Sequence, residues 1–208
     1  MTRDDLLTLV ATSFSQCPQS VAGGTLFCST PHQGDTAYLG RIYDPLSHDR
    51  AVAWLSKADQ PGNPYRSFLT TVANGLNVAN LTLYGVVEEI DRSAGHGIGQ
   101  PISLDYGNLV ERPGDLSSDD LVIGGMVGWS SRGVYVLDRD SRVRLAHPEN
   151  GADVAAYWSD LEAMLEAEFA RLAQHFNSEG RELSSHTALM HPNGRRWETE
   201  IEPGSKPH

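Results

Sequence analysis

The sequence has few cysteines and no long apolar run. Only two of its 208 residues are cysteines, Cys17 and Cys28, and they do not form a C-x-x-C pair. Two isolated thiols are typical of free cytosolic cysteines, not of a disulfide framework or a metal site. No apolar run is long enough to span a membrane, and acids precede the first apolar stretch, which is not typical of a secretion signal. We therefore expect a cytoplasmic protein without a membrane partner.

Basic residues are also scarce. The chain has 16 Lys and Arg against 27 Asp and Glu, a formal net charge of −11. Phosphate contacts require clustered Lys and Arg, so this balance argues against a nucleic-acid partner. It favours association with basic proteins, although solubility alone also explains a negative charge. Residues 86–120 hold eight acids against Arg92 and Arg112, a net of −6, and residues 149–182 have the same net charge.

Motifs for catalysis or cofactor binding are missing as well. Residues 95–99 read G-H-G-I-G, but no strand and helix flank them, as a phosphate-binding loop would require. The eight histidines are scattered without the spacing of metal ligands. We predict no cofactor, no metal site and no catalytic residue, and hence no enzyme. The alternative is an enzyme whose unrecognised site is built around His96 and the nearby acids.

Hydrophobic periodicity and turn signals predict the secondary structure. Strands are grouped and do not alternate with helices, which predicts an α+β fold: an antiparallel sheet of about four to six strands packed against helices, with a long C-terminal helix. The predicted helices are 3–14, 47–56, 63–76, a short one near 106–110, and 153–176. The predicted strands are 81–87, 121–127 and a hairpin of 133–137 with 142–146, while 15–40 is expected to be a loop.

Residues 63–76, NPYRSFLTTVANGL, show the clearest local signals. Asn63 can cap a helix and Pro64 suits its first position. Apolar residues at positions 65, 68, 69 and 72 form one stripe, and Asn74-Gly75 is typical of a helix end.

Several short motifs together resemble the SUKH superfamily, which joins a fungal cell-wall-synthesis regulator with many bacterial immunity proteins. The resemblance rests on Y-D-P-L-S at 43–47, Y-x-x-F-L-x4-N-G at 65–75, L-x-L-Y-G at 81–85, Asn108, L-x-I-G at 121–124, G-V-Y-V-L-D at 133–138 and W-x-x-L-x-x-M-L at 158–165. The chain departs from the family pattern at one point. Gly62-Asn63-Pro64 stand directly before Tyr65, whereas the family usually has Leu-Pro two residues before this Tyr. The resemblance implies an N-terminal extension over 1–40, a SUKH-like domain over 41–176 and a polar tail over 177–208.

The resemblance also implies a function. A SUKH-like domain has no active site, and many bacterial members bind and neutralise a toxin, often a nuclease. We therefore expect a non-catalytic acidic immunity protein whose partner is a basic toxin domain; the alternative is a regulatory adaptor that binds host cellular proteins. Charge and loop position predict a partner-binding surface at Glu88, Glu89, Asp91, Glu111, Asp115, Asp119 and Asp120.

Overall fold

One antiparallel sheet dominates the fold. The computed structural model describes residues 1–14, 18–29, 38–47, 49–50, 63–87, 100–110, 112–126, 133–175, 177 and 183. Within these ranges nine strands pair antiparallel, each beside the strand that follows it in the chain. They are β1 Gln19–Val21, β2 Gly24–Ser29, β3 Tyr38–Tyr43, β4 Leu76–Val78, β5 Leu81–Leu83, β6 Leu121–Met126, β7 Gly133–Leu137, β8 Val143–Ala146 and β9 Val154–Trp158.

Helices accompany this sheet, which makes the protein α+β as predicted. They are α1 Arg3–Phe14, α2 Pro64–Ser67 with a π-helical turn Phe68–Val72 after it, α3 Leu104–Leu109 and α4 Leu161–His175. Helix α1 contacts α4, β2 and the π-helical turn, and α4 also contacts β9. Within the described ranges, no helix combines the length and apolarity needed to cross a membrane.

Local signals account for α1 and for the hairpin β7–β8. The Thr2 hydroxyl accepts from the Asp5 backbone N–H at 3.2 Å while the Asp5 carboxylate accepts from the Thr2 backbone N–H at 2.7 Å, a reciprocal cap. In the hairpin turn, the Asp138 carboxylate accepts from the backbone N–H groups of Asp140 and Arg142 at 2.8 and 2.9 Å. Both elements confirm the sequence prediction.

The predicted helix over 63–76 is confirmed at its start and shorter at its end. The Asn63 side chain accepts from the Tyr65 backbone N–H at 2.9 Å, and Pro64 is the first helical residue. The helix ends with the π-helical turn at Val72, and Leu76 already belongs to β4. Gly75 has φ +84°, which suits the bend between helix and strand.

The predicted strand count was wrong, because β4 and the strands of two further regions were not predicted. Residues 15–40 were expected to form a loop, but β1, β2 and the start of β3 lie there. Their Gly, Ser and Thr residues suggested a loop, whereas in the fold Gly40 permits β3 to approach β4: a Cβ on Gly40 would lie 2.8 Å from the Val78 Cα. Strand β3 also continues the sheet across the expected boundary between 1–40 and 41–176.

The second misreading concerns the start of the C-terminal helix. Residues 154–158 form β9, and α4 begins only at Leu161. Asp160 provides the start signal, because its carboxylate accepts from the Ala163 backbone N–H at 2.8 Å and this bond lowers the pKa of Asp160. Trp158 therefore packs from a strand, with its ring centroid 6.0 Å from that of Tyr135.

The other predicted elements match in part. The short helix near 106–110 is α3, and the strand over 121–127 is β6. The strand over 81–87 stops at Leu83, after which Gly85 forms an isolated parallel bridge with Ser103. Of the helix predicted over 47–56, only 49–50 are described as helical. Nearly all of the tail lies outside the described residues.

Candidate functional site

Helix α3 is seated firmly on the sheet. Its inner residue Leu104 is fully buried, and its backbone N–H donates to the Gly85 carbonyl at 2.9 Å. Gly107 lies directly against the Tyr84 ring, where an added Cβ would come within 2.2 Å of a ring carbon. The glycine therefore lets the helix approach the sheet closely.

Asn108 joins α3 to β6. Its side-chain amide donates to the carbonyls of Leu104 and Val122 at 2.9 and 2.8 Å, and its side-chain oxygen accepts from the Val122 backbone N–H at 2.9 Å. The Asn108 side chain thus bonds both the backbone N–H and the carbonyl of Val122, as a neighbouring strand would. These three bonds give Asn108 a physical role in the fold.

Apolar side chains on α3 and just beyond its two ends are exposed. Ile102, Tyr106, Leu109 and Val110 are exposed by 38, 48, 82 and 66% respectively. We call these residues the α3 surface. Clustered exposed apolar side chains are typical of interaction sites, because a monomer gains nothing by leaving them in water. Their inward neighbours hold the helix in place, so the α3 surface is presented on a fixed support.

A structured acidic loop, residues 112–120, follows α3. Arg112 donates to the carbonyl of Asp120 at 2.7 Å and to the carbonyl of Ser117. The Asp120 carboxylate accepts from the Ser117 backbone N–H at 3.0 Å and forms an ion pair with Arg144 of β8 at 2.8 Å. Asp120 therefore holds the acidic loop against the sheet.

Asp115 has a comparable structural role. Its carboxylate accepts from the backbone N–H groups of Gly151 and Ala152 at 2.8 and 3.0 Å. The Gly151 bond is the largest cause of the lowered pKa of Asp115, and the Ala152 bond also lowers it, since both favour the charged form. Asp119, by contrast, is exposed and bonds only to nearby serines: its carboxylate accepts from the Ser118 hydroxyl at 3.5 Å.

The structure brings together part of the predicted partner-binding surface. Asp115, Asp119 and Asp120 all lie in the acidic loop, but Asp115 and Asp120 also fasten it to the rest of the fold. The remaining predicted residues lie outside the described part of the chain: Glu88, Glu89, Asp91 and Glu111, together with His96 of the alternative enzyme site.

Sequence reasoning missed the α3 surface. Tyr106, Leu109 and Val110 recur at i, i+3 and i+4, a spacing that marks one side of a helix. That spacing usually indicates the buried side, so it would have suggested the opposite of what is observed. The signal for the correct side is Gly107, where the helix approaches the Tyr84 ring.

Neither a metal cluster among the described residues nor a match to a known protein indicates the function. Among the described residues, no group of three or more His, Cys, Asp or Glu side chains is arranged to hold a metal ion. Scans of the chain against models of protein families, against curated proteins and against solved structures found no match.

Proposed function

We propose that this protein is a non-catalytic acidic binding protein that holds a basic protein domain on the α3 surface and the adjoining acidic loop. The observation that carries the proposal is the exposure of Leu109 and Val110 on a helix fixed to the sheet by Asn108. Flexible surface helices often expose apolar groups without consequence, but a rigid one loses little conformational freedom on binding.

The chemistry of this region suits a protein partner. An apolar centre with a charged border is the usual arrangement of an interface, in which the centre supplies affinity and the border steers association. The acids of segment 86–120 and the net charge of −11 attract a partner of positive charge. Asp119 can contact such a partner, since it is exposed and its carboxylate, unlike those of Asp115 and Asp120, does not fasten the acidic loop.

The specific partner that we propose is a nuclease-type toxin domain, neutralised in the cytoplasm in the manner of an immunity protein. Two considerations support it. The sequence resembles the SUKH superfamily, and nucleases that grip phosphate need a basic cleft, which an acidic inhibitor complements.

The test uses the toxin domain encoded beside this gene. The full chain and the toxin are purified, and binding is measured by calorimetry and stopped-flow fluorescence at several salt concentrations, alongside nuclease inhibition. Replacing Tyr106 by Ala is expected to weaken binding by about tenfold or more, as for an interface anchor. Asp119→Lys is expected to slow association and reduce its dependence on salt.

Matched controls come from other parts of the chain. Tyr157, 70% exposed on β9, is the control for Tyr106, and Asp140, exposed in the β7–β8 turn, is the control for Asp119. If Tyr106→Ala and Asp119→Lys bind the toxin like their controls, the proposed surface is wrong. If no neighbouring gene encodes a toxin, the immunity function is rejected in favour of the regulatory adaptor.

A further inference from the structure

Helix α4 carries a pair of opposite charges on its buried side. Glu168 is completely buried, and Arg171 is only 8% exposed. The Arg171 Nε and one Nη donate to Glu168 Oε2 at 2.9 and 2.6 Å. The other buried residues of the helix are apolar: Leu161, Met164, Leu165, Phe169 and Leu172. The charged pair therefore lies within the apolar side that α4 packs against the rest of the fold.

Arg171 also joins α4 to the sheet. The Nη that bonds Glu168 donates to Asn80 Oδ1 at 2.9 Å as well. Asn80 is 7% exposed and lies in the two-residue turn between β4 and β5, 91 positions before Arg171. A hydrogen bond requires a defined distance and direction. This contact therefore relates the position of α4 to one particular turn of the sheet.

The turn that receives this bond has an unusual backbone. Ala79, which precedes Asn80, has φ +53°, in the left-handed region that residues other than glycine seldom adopt. Such a conformation costs free energy and persists only where the surrounding structure holds it. The bond from Arg171 to Asn80 is one contact that holds the turn in this shape.

The charged pair is not arranged for the greatest stability. Both Arg171 bonds go to Glu168 Oε2, and the buried Oε1 accepts no hydrogen bond. The Tyr135 hydroxyl is also buried without a hydrogen-bond partner. Burial raises the pKa of Tyr135, and the nearby Glu168 charge raises it further. Desolvation offsets much of the attraction in a buried ion pair, and unsatisfied polar atoms add to that cost. Net stabilisation therefore does not account for the pair.

We propose that Glu168 and Arg171 act as a latch that sets the single position of α4 on the sheet without adding net stability. Apolar side chains of similar size can pack in more than one way, so the apolar side alone would let the helix slide or turn. A shift of α4 by one residue moves Arg171 by about 1.5 Å along the axis and about 100° around it. The bond to Asn80 would then break and leave polar groups buried without partners. The latch does not rest on the function proposed for the α3 surface.

Three variants of the full chain test the energetic part of the proposal: Glu168→Met, Arg171→Met and the two together. Methionine keeps a long, unbranched side chain and removes the charge. Each single variant leaves one buried charge unpaired, and we expect its folding equilibrium constant, measured by urea unfolding, to fall by about a hundredfold or more. The double variant buries no charge at these positions, and its constant should equal or exceed that of the wild type.

Amide NMR spectra of the double variant test the latch itself. We expect several signals, or broadened ones, for Asn80 and for residues of α4, where the wild type gives one sharp signal each. Glu166→Met, which changes an exposed glutamate of the same helix, is the matched control and should behave like the wild type in both measurements.

Three results would overturn the proposal. One sharp signal for each α4 residue in the double variant would show that the apolar contacts alone fix the helix. A double variant as unstable as the single ones, or unfolded, would show that the pair is a net stabilising contact. Single variants as stable as Glu166→Met would show that neither charge depends on the other.

Discussion

Replacing Tyr65 by phenylalanine is expected to destabilise the fold, because its hydroxyl joins α2 to two strand regions. The residue is almost completely buried. The hydroxyl approaches the Tyr84 carbonyl at 2.5 Å and the Ile123 carbonyl at 3.0 Å. The phenyl ring of the variant keeps the packing, including the stack on Phe68 with ring centroids 5.6 Å apart. Only the hydrogen bonds are removed.

The size of the effect follows from what the two carbonyls retain. Leaving a buried polar group unsatisfied costs about 1–3 kcal/mol. The Ile123 carbonyl also accepts from the Tyr84 backbone N–H at 2.8 Å, so it keeps a partner. The hydroxyl has a single proton for the two carbonyls, and the variant takes this buried donor away from both, so we expect the free energy of unfolding to decrease by about 2 kcal/mol. For a chain of this size that lowers Tm by about 4–8 °C.

Urea and thermal unfolding of Tyr65→Phe and Tyr157→Phe measure this effect. The Tyr157 side chain is 70% exposed, so its variant loses no buried bond and should stay within about 0.5 kcal/mol of the wild type. If the free energies of unfolding of both variants lie within about 0.5 kcal/mol of the wild type, the Tyr65 hydroxyl does not stabilise the fold and the reasoning fails. An unchanged m-value would show that the denatured state is not responsible.

Three other outcomes are expected. Gly107→Ala should lower the free energy of unfolding by about 1–3 kcal/mol, measured in urea, because its Cβ would meet the Tyr84 ring; a more stable variant would show that helix propensity dominates. The pKa of Asp115 is lowered in the fold, so its charged carboxylate stabilises the folded state above pH 3.8, and this stabilisation is lost as the pH falls through the folded-state pKa. Asp115→Asn should therefore show a flatter dependence of stability on acid pH than Asp119→Asn. Burial raises the pKa of Tyr43 to about 12. The protonated side chain therefore stabilises the folded state fully below pH 10.0, and this stabilisation is lost as the pH rises towards 12. Tyr43→Phe should then lose less stability than the wild type in alkaline unfolding monitored by tyrosinate absorbance; equal losses would contradict this.

The sequence was sufficient wherever the signal and the element occupy the same few residues. Asn63 and Pro64 start a helix through their own side chains, and Asp138 closes a turn with the N–H groups that follow it. The acidic character of segment 86–120 was also readable, because charge needs no structure to be counted. The roles of those acids could not be read from the sequence, because Asp115 and Asp120 bond to residues more than twenty positions away.

The sequence alone determined the starts of α1 and α2, the hairpin and the α+β class. The tertiary structure decided which segments joined the sheet. Strands β1, β2 and β9 became strands by pairing with neighbouring strands, and residues 154–158 carry no helix-start signal of their own before Asp160. It also decided that Leu109 faces solvent and that Arg41 is buried. Side-chain exposure and buried charge depend on what the rest of the chain places beside a residue, and only the folded arrangement supplies that.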